Sequence, residues 1–142
     1  MYLTYAEYKS MGGTLDETAF NDFEFEAEVY VNWYTFSRLK KYTTYPDEVK
    51  KCMYKLIQLA KIQYDTMMSS SVSSGGVSSS VANSTIASQS NDGVSISYNI
   101  LSADKVYDTI KDEMESVVNK YLVDVKDSLG RKLLYRGLYP GE

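Results

Sequence analysis

Two pairs of acidic residues, Glu24 with Glu28 and Asp108 with Asp112, stand four positions apart, a spacing that sets both carboxylates of a pair on one face of a helix. Two carboxylates on one face could begin a metal site or an acid-base pair. Helical-bundle metal sites normally add a His three residues after a Glu. The chain has no histidine, which also removes the commonest general base. The pairs therefore read as solvated helix faces. Cys52 is the one thiol; it falls on or beside the apolar stripe of its helix, with no histidine to deprotonate it, and reads as an inert core thiol. Gly12-Gly13 and Gly75-Gly76 are not followed by the Gly-Lys-Ser/Thr that would hold phosphates. Lys40-Lys41 and Lys50-Lys51 are too sparse for a nucleic-acid site and read as solubilising charge. The expectation is a chain that is not an enzyme, with no catalytic residue, no cofactor and no metal.

The elements that would carry these residues fit one domain: 142 residues with 44% hydrophobic content support a modest core. The net charge of −4 and a pI near 4.9 argue against wrapping DNA through phosphate contacts, yet suit DNA that passes without sticking. A lone cysteine forms no internal disulfide and suggests a reducing compartment. The beginning, MYLTYAEYK, lacks the pattern of a secretory signal, and no stretch approaches the ~18 apolar residues of a membrane span. The expectation is no membrane partner, and Asn83-Ser84-Thr85, although a glycosylation sequon, reads as idle. Fourteen tyrosines, each with an apolar body and a polar tip, suit a core rim or surfaces covered in a complex.

Thr4 and Glu7 have capping-box spacing, which predicts a short helix over Tyr5 to Met11 that Gly12-Gly13 stops. Asp16 caps a second helix. Phe20, Phe23, Ala27, Tyr30 and Tyr34 recur at steps of three and four and predict its buried stripe, with Glu24 and Glu28 opposite. Phe25, Val29 and Trp33 form a second apolar row, so this helix is expected to be covered on more than one side. Thr35 to Tyr45 reads as a connection in which Phe36 and Leu39 plug the end of the bundle. Pro46, Asp47 and Glu48 open a third helix whose stripe is Val49, Met53, Leu56, Ala60, Tyr64 and Met67. Ser102 caps the last helix, over 102–124, with Val106, Ile110, Val117 and Tyr121 on its buried side and Met114 alongside.

Between these blocks, residues 69–80 have the composition of a Gly/Ser linker. Val94, Ile96 and Tyr98 then alternate with serines, a strand signal, and Asn91-Asp92-Gly93 supplies hairpin-turn chemistry. A two-residue turn pairs Gln89 with Ile96, with Ile86 to Asn91 as the partner strand. A lone hairpin is marginal in water, so its apolar face needs something to lie against. The end of the chain holds Leu133, Leu134, Tyr135, Arg136, Leu138 and Tyr139; it either folds back on its own core or adds to a partner's edge. The predicted architecture is mainly α: a small bundle of three long helices plus a short N-terminal one, helical over 1–68, with an inserted β-hairpin within 69–99 and an extended tail over 125–142.

YAEYKSMGGTLDETAF from Tyr5, TFSRL from Thr35, PDEVKKCMYKLI from Pro46, SNDGVSISY from Ser90 and LLYRG from Leu133 together resemble the head-tail connector proteins of long-tailed bacteriophages, above all those of phages and prophages of Gram-positive bacteria. The resemblance spans the chain and rests on several weak motifs in order. It implies a virion adaptor at the neck, assembled in the host cytoplasm. Such a protein forms a homo-oligomeric ring under the portal, on the order of twelve subunits joined head to tail. The ring extends the DNA channel without sequence-specific binding and offers a platform for the next neck or stopper protein and the tail. Under this reading the segment Leu133 to Tyr139 docks on the portal, deleting residues 131–142 leaves the bundle folded, and the hairpin Ile86 to Tyr98 packs between subunits or against the next neck protein. The rival from another class is a non-viral cytoplasmic helical module that binds partner proteins.

Overall fold

Helix signals lying within a few residues of one another set the first two elements. A computed structural model describes residues 1–71, 88–91, 94–97, 103–127 and 130–137. The Thr4 hydroxyl accepts the Glu7 amide (3.3 Å) while the Glu7 carboxylate accepts the Thr4 amide (2.9 Å), which satisfies two free donors and opens helix α1, Tyr5–Ser10. Gly12 then takes φ +92°, and a Cβ on Gly13 would lie 2.1 Å from the Tyr8 ring, so the turn needs glycine twice over. Asp16 accepts the Ala19 amide (2.9 Å) and opens α2, Glu17–Tyr34. A 3₁₀ turn, Arg38–Lys41, leads to α3, Asp47–Ser71, and α4 is Ala103–Leu122. Strands β1, Ser88–Asn91, and β2, Val94–Ser97, pair antiparallel with Gln89 opposite Ile96, and the pair lies beside α3. Ile86, Asp92, Gly93, Tyr98, the Ser102 cap, Leu138 and Tyr139 lie outside the described residues. The described architecture is thus mainly helical, and no described helix is long and apolar enough to cross a membrane.

The core is organised on α3, which α2 and α4 both pack against. From Cys52 to Ala60 every α3 side chain is buried except the half-buried Lys55. This central position explains why no single stripe describes the helix. Its expected stripe also ends early, because Tyr64 and Met67 are more than half exposed beyond the last turns of cover. On α4 the seam is Val106, Ile110, Met114, Val118 and Leu122, with Val117 also buried and Tyr121 at the edge. A four-residue repeat drifts about 40° per step at 3.6 residues per turn, so over its four steps this buried seam winds gradually around the helix.

The expected solvated pair on α2 is corrected. Glu24 is 3% exposed and belongs to the core seam Phe20, Glu24, Ala27 and Val31. The chain ahead of α1 lies over it, and the Tyr2 amide donates to its carboxylate (2.8 Å), so the buried polar group keeps a partner. Burial pushes the Glu24 carboxyl up from its ordinary range. Glu28 pairs with the Met1 amino group.

The tail folds back on its own body through Gly137. After α4, Val125 is buried and the chain reverses; the Asp127 carboxylate accepts the Arg131 amide (2.8 Å) and pairs with its guanidinium (2.5 Å), and the Leu133 amide donates to the Val125 carbonyl (3.0 Å). Leu133 is fully buried. Arg38, only 4% exposed, reaches across to this segment: its guanidinium donates to the carbonyls of Leu133 (3.1 Å), Tyr135 (2.6 Å) and Gly137 (2.9 Å). A planar fork with several donors suits three carbonyls on alternate residues in a way an ammonium cannot. Removing residues 131–142 would therefore take out a core leucine and strand a buried cation, which overturns the expectation that the segment is dispensable for folding.

Leu133→Ala is expected to lower unfolding free energy by about 2–5 kcal/mol, and Arg38→Ala by roughly 2–4 kcal/mol through its lost charge-assisted bonds. Both should raise amide exchange over residues 131–137, and unchanged exchange in Arg38→Ala contradicts the clamp. A pH effect follows from Glu7, whose bond with Lys50 (2.7 Å), helped by the Thr4 cap, holds its carboxyl down from 4.5 to about 2. Because the folded value lies below the unfolded one, its stabilisation is complete above pH 4.5 and is lost as pH falls toward 2. Glu7→Gln should flatten the stability curve across that interval; an acid limb as steep as the parent's contradicts the assignment.

Candidate functional site

Phe25, Val29 and Trp33 follow one another every fourth residue, so they form one line along α2. The core seam of α2 points elsewhere, and the line is left bare: Phe25 is 67% exposed, Val29 54% and Trp33 71%. The expectation that a second side of α2 is covered is not met within the described chain. Thr18, Asp22 and Glu26 are exposed on the same helix; at 100° per residue they fall alongside the apolar line. The result is an apolar ridge edged with carboxylates.

The ridge continues past the helix end because of how that end closes. The Ser37 amide donates to the Asn32 carbonyl (2.8 Å), the six-to-one bond of a Schellman closure. Such a closure needs a left-handed residue, usually glycine, and here Phe36 (φ 53°) and Ser37 (φ 57°) take that conformation. A left-handed phenylalanine is strained by roughly 1–2 kcal/mol. Its ring is more than half exposed instead of plugging the bundle as its sequence suggests, and the Arg38 guanidinium lies over it, 5.3 Å from the ring centroid. Leu39 does the plugging, with no exposed surface. Trp33 meets the edge of Tyr34 at 4.9 Å, and Tyr34 meets Tyr30 at 5.0 Å, so the ridge rests on a ladder of rings.

At this end the ridge meets the tail. Asn32, Trp33, Tyr34, Phe36, Ser37 and Arg136 enclose an open hollow of about 430 Å³. The clamp from Arg38 to the carbonyls of Tyr135 and Gly137 sets Arg136 there. Of the tail residues singled out in the sequence, Leu133 is a core anchor, Leu134 is half-buried, and Tyr135 and Arg136 are exposed. Of the hairpin residues, Asn91, Val94 and Ile96 stand on the paired strands. Sequence reasoning missed Arg38 altogether, since nothing local marks it.

The arrangement suits adhesion. Large apolar surfaces ringed by charge mark protein contacts. Cys52 offers no competing chemistry, because it is fully buried and burial pushes its thiol up to about 12, far from the thiolate that nucleophilic attack needs. Among the described residues no three carboxylate or thiol groups converge as a metal ligand set.

Phe36→Gly should leave fold stability unchanged or raise it by up to about 1 kcal/mol, against the ~3 kcal/mol or more lost when a core phenylalanine is truncated, because relief at positive φ offsets the lost ring contact. A core-sized loss in chemical denaturation contradicts the reading of Phe36 as a strained surface group.

Compared with family models, with curated proteins and with solved structures, the chain matches none.

Proposed function

We propose that this chain is a structural virion protein, a head-tail connector that joins a ring under the portal, extends the DNA channel and gives the next neck protein and the tail their platform. The observation that carries the reading is the ridge of Phe25, Val29, Trp33 and Phe36, a contiguous exposed apolar surface of the kind that marks a protein contact. The motifs from Tyr5, Thr35, Pro46, Ser90 and Leu133 that resemble connector proteins supply the viral part. The acidic balance of the chain supports a channel wall that DNA passes without adhering.

In this reading the tail serves twice. Leu133 and the Arg38 clamp fix it to the body, and Leu134, Tyr135 and Arg136 are the groups offered to the portal, continued by Leu138 and Tyr139. The strand pair carrying Val94 and Ile96 packs between subunits or against the next neck protein, where a charge in place of an apolar side chain would be left without a partner.

Mixing the purified chain with the purified portal should yield a ring on the order of twelve copies, as portal symmetry requires, visible by electron microscopy. Removing residues 138–142 together with Tyr135→Ala and Arg136→Glu should preserve helicity and abolish capture. Absence of a ring with the parent chain overturns the connector assignment, and undiminished capture by the variant overturns the tail's role in it.

A further inference from the structure

Charge divides along the chain. Residues 10–37 contain six carboxylates and no Lys or Arg, a net of −6, while residues 38–61 contain seven Lys or Arg against Asp47 and Glu48, a net of +5. The ridge belongs to the first segment. Asp22 and Glu26 edge it, exposed and without an ion pair among the described residues. In the second segment Arg38 is committed to the tail, Lys50 to Glu7 and Lys61 to Asp65. Lys40, Lys41 and Lys51 are exposed and without an ion pair among the described residues. One small body thus carries unmatched carboxylates beside an apolar ridge and unmatched ammonium groups elsewhere.

The exposed portions of Phe25, Val29, Trp33 and Phe36 sum to about 500 Å² if full side chains are taken as ~150–250 Å². That is a large part of the roughly 800 Å² per partner in a stable interface. Two copies meeting ridge to ridge would set Asp22 and Glu26 against their own images, and like charges facing each other disfavour that arrangement. Ridge against the segment that holds Lys40, Lys41 and Lys51 would set opposite charges together, and a contact between two different patches is the head-to-tail kind that closes rings. The strain at Phe36 fits the same use, because left-handed φ at a bulky exposed residue weakens the lone subunit and adds an aromatic to the contact.

We infer that the α2 ridge is one half of a subunit contact whose occupant is a second copy of this chain, presenting the surface that bears Lys40, Lys41 and Lys51. The inference rests on the connector reading for its ring, and assigns the surface that closes it. Two reversed full-length chains test it: Asp22→Lys with Glu26→Lys, and Lys40→Glu with Lys41→Glu and Lys51→Glu, each checked for parental helicity by circular dichroism. Val29→Asp serves as a further probe if either reversal fails to fold. Each reversed chain alone should self-associate about tenfold or more weakly in sedimentation and form no ring on the portal. An equimolar mixture should recover both, since each contact is again between opposite charges. Rings formed normally by either reversed chain, or no recovery in the mixture, overturn the inference while leaving the connector reading intact. Charge-sensitive self-association without portal capture upholds the inference and removes the connector reading. A parent chain that stays monomeric until residues 138–142 are removed identifies its own terminus as the cover, and a parent that neither self-associates nor forms rings has no such contact; both outcomes overturn the inference.

Discussion

Burial of α3 on almost every side is the constraint from which the remaining structure follows. A helix whose side chains are covered from Cys52 through Ala60, Lys55 apart, needs neighbours all round, and a chain of this size has few to offer. Here α2 covers one flank and α4 another, and Tyr8 of α1 meets Tyr54 with ring centroids 5.5 Å apart. Each covering helix is then committed to facing inward along one seam. Nothing in the described residues is left over to sit on α2 from outside, and its second apolar row stays bare.

Two buried charges show how the body is finished with backbone instead of with ion pairs. Arg38 and Glu24 are both nearly inaccessible, and each takes main-chain partners: Arg38 the carbonyls of the tail, Glu24 the amide of Tyr2. Charge-assisted bonds to backbone groups fix the path of segments that have little regular structure of their own. Arg38 accordingly sets where Tyr135 and Arg136 appear on the surface, at the same end as Trp33 and Phe36. The exposed groups at that end share a scaffold, although they lie far apart in the sequence.

What the sequence made legible was local. The Thr4–Glu7 box, the Asp16 cap, the Gly12-Gly13 stop and the order of the helices all depend on residues within a few positions of one another, and each stands in the structure. Periodicity located both apolar rows of α2, and the first is the one packed on the core, but it put cover over the second as well, because spacing specifies a face and not its neighbour. The same limit put Tyr64 and Met67 in a stripe that the packing does not reach, and put Glu24 in solvent when Tyr2 covers it. Phe36 was misread since hydrophobicity suggested a plug, whereas its left-handed backbone turns the ring outward. The Arg38 clamp was invisible for a plainer reason: its partners lie 95 to 99 residues away.

Trp33 is the only tryptophan and stands in the bare row at the end nearest Phe36, so its access to water reports whether association covers that row. The decisive measurement is collisional quenching of its fluorescence by a neutral solute, first in the free chain and then in the assembled state on the portal. A bare row that association covers gives an indole quenched freely in the lone subunit and strongly protected once copies associate. An indole shielded in the isolated chain, or one that stays equally open to quencher within the assembly, contradicts it.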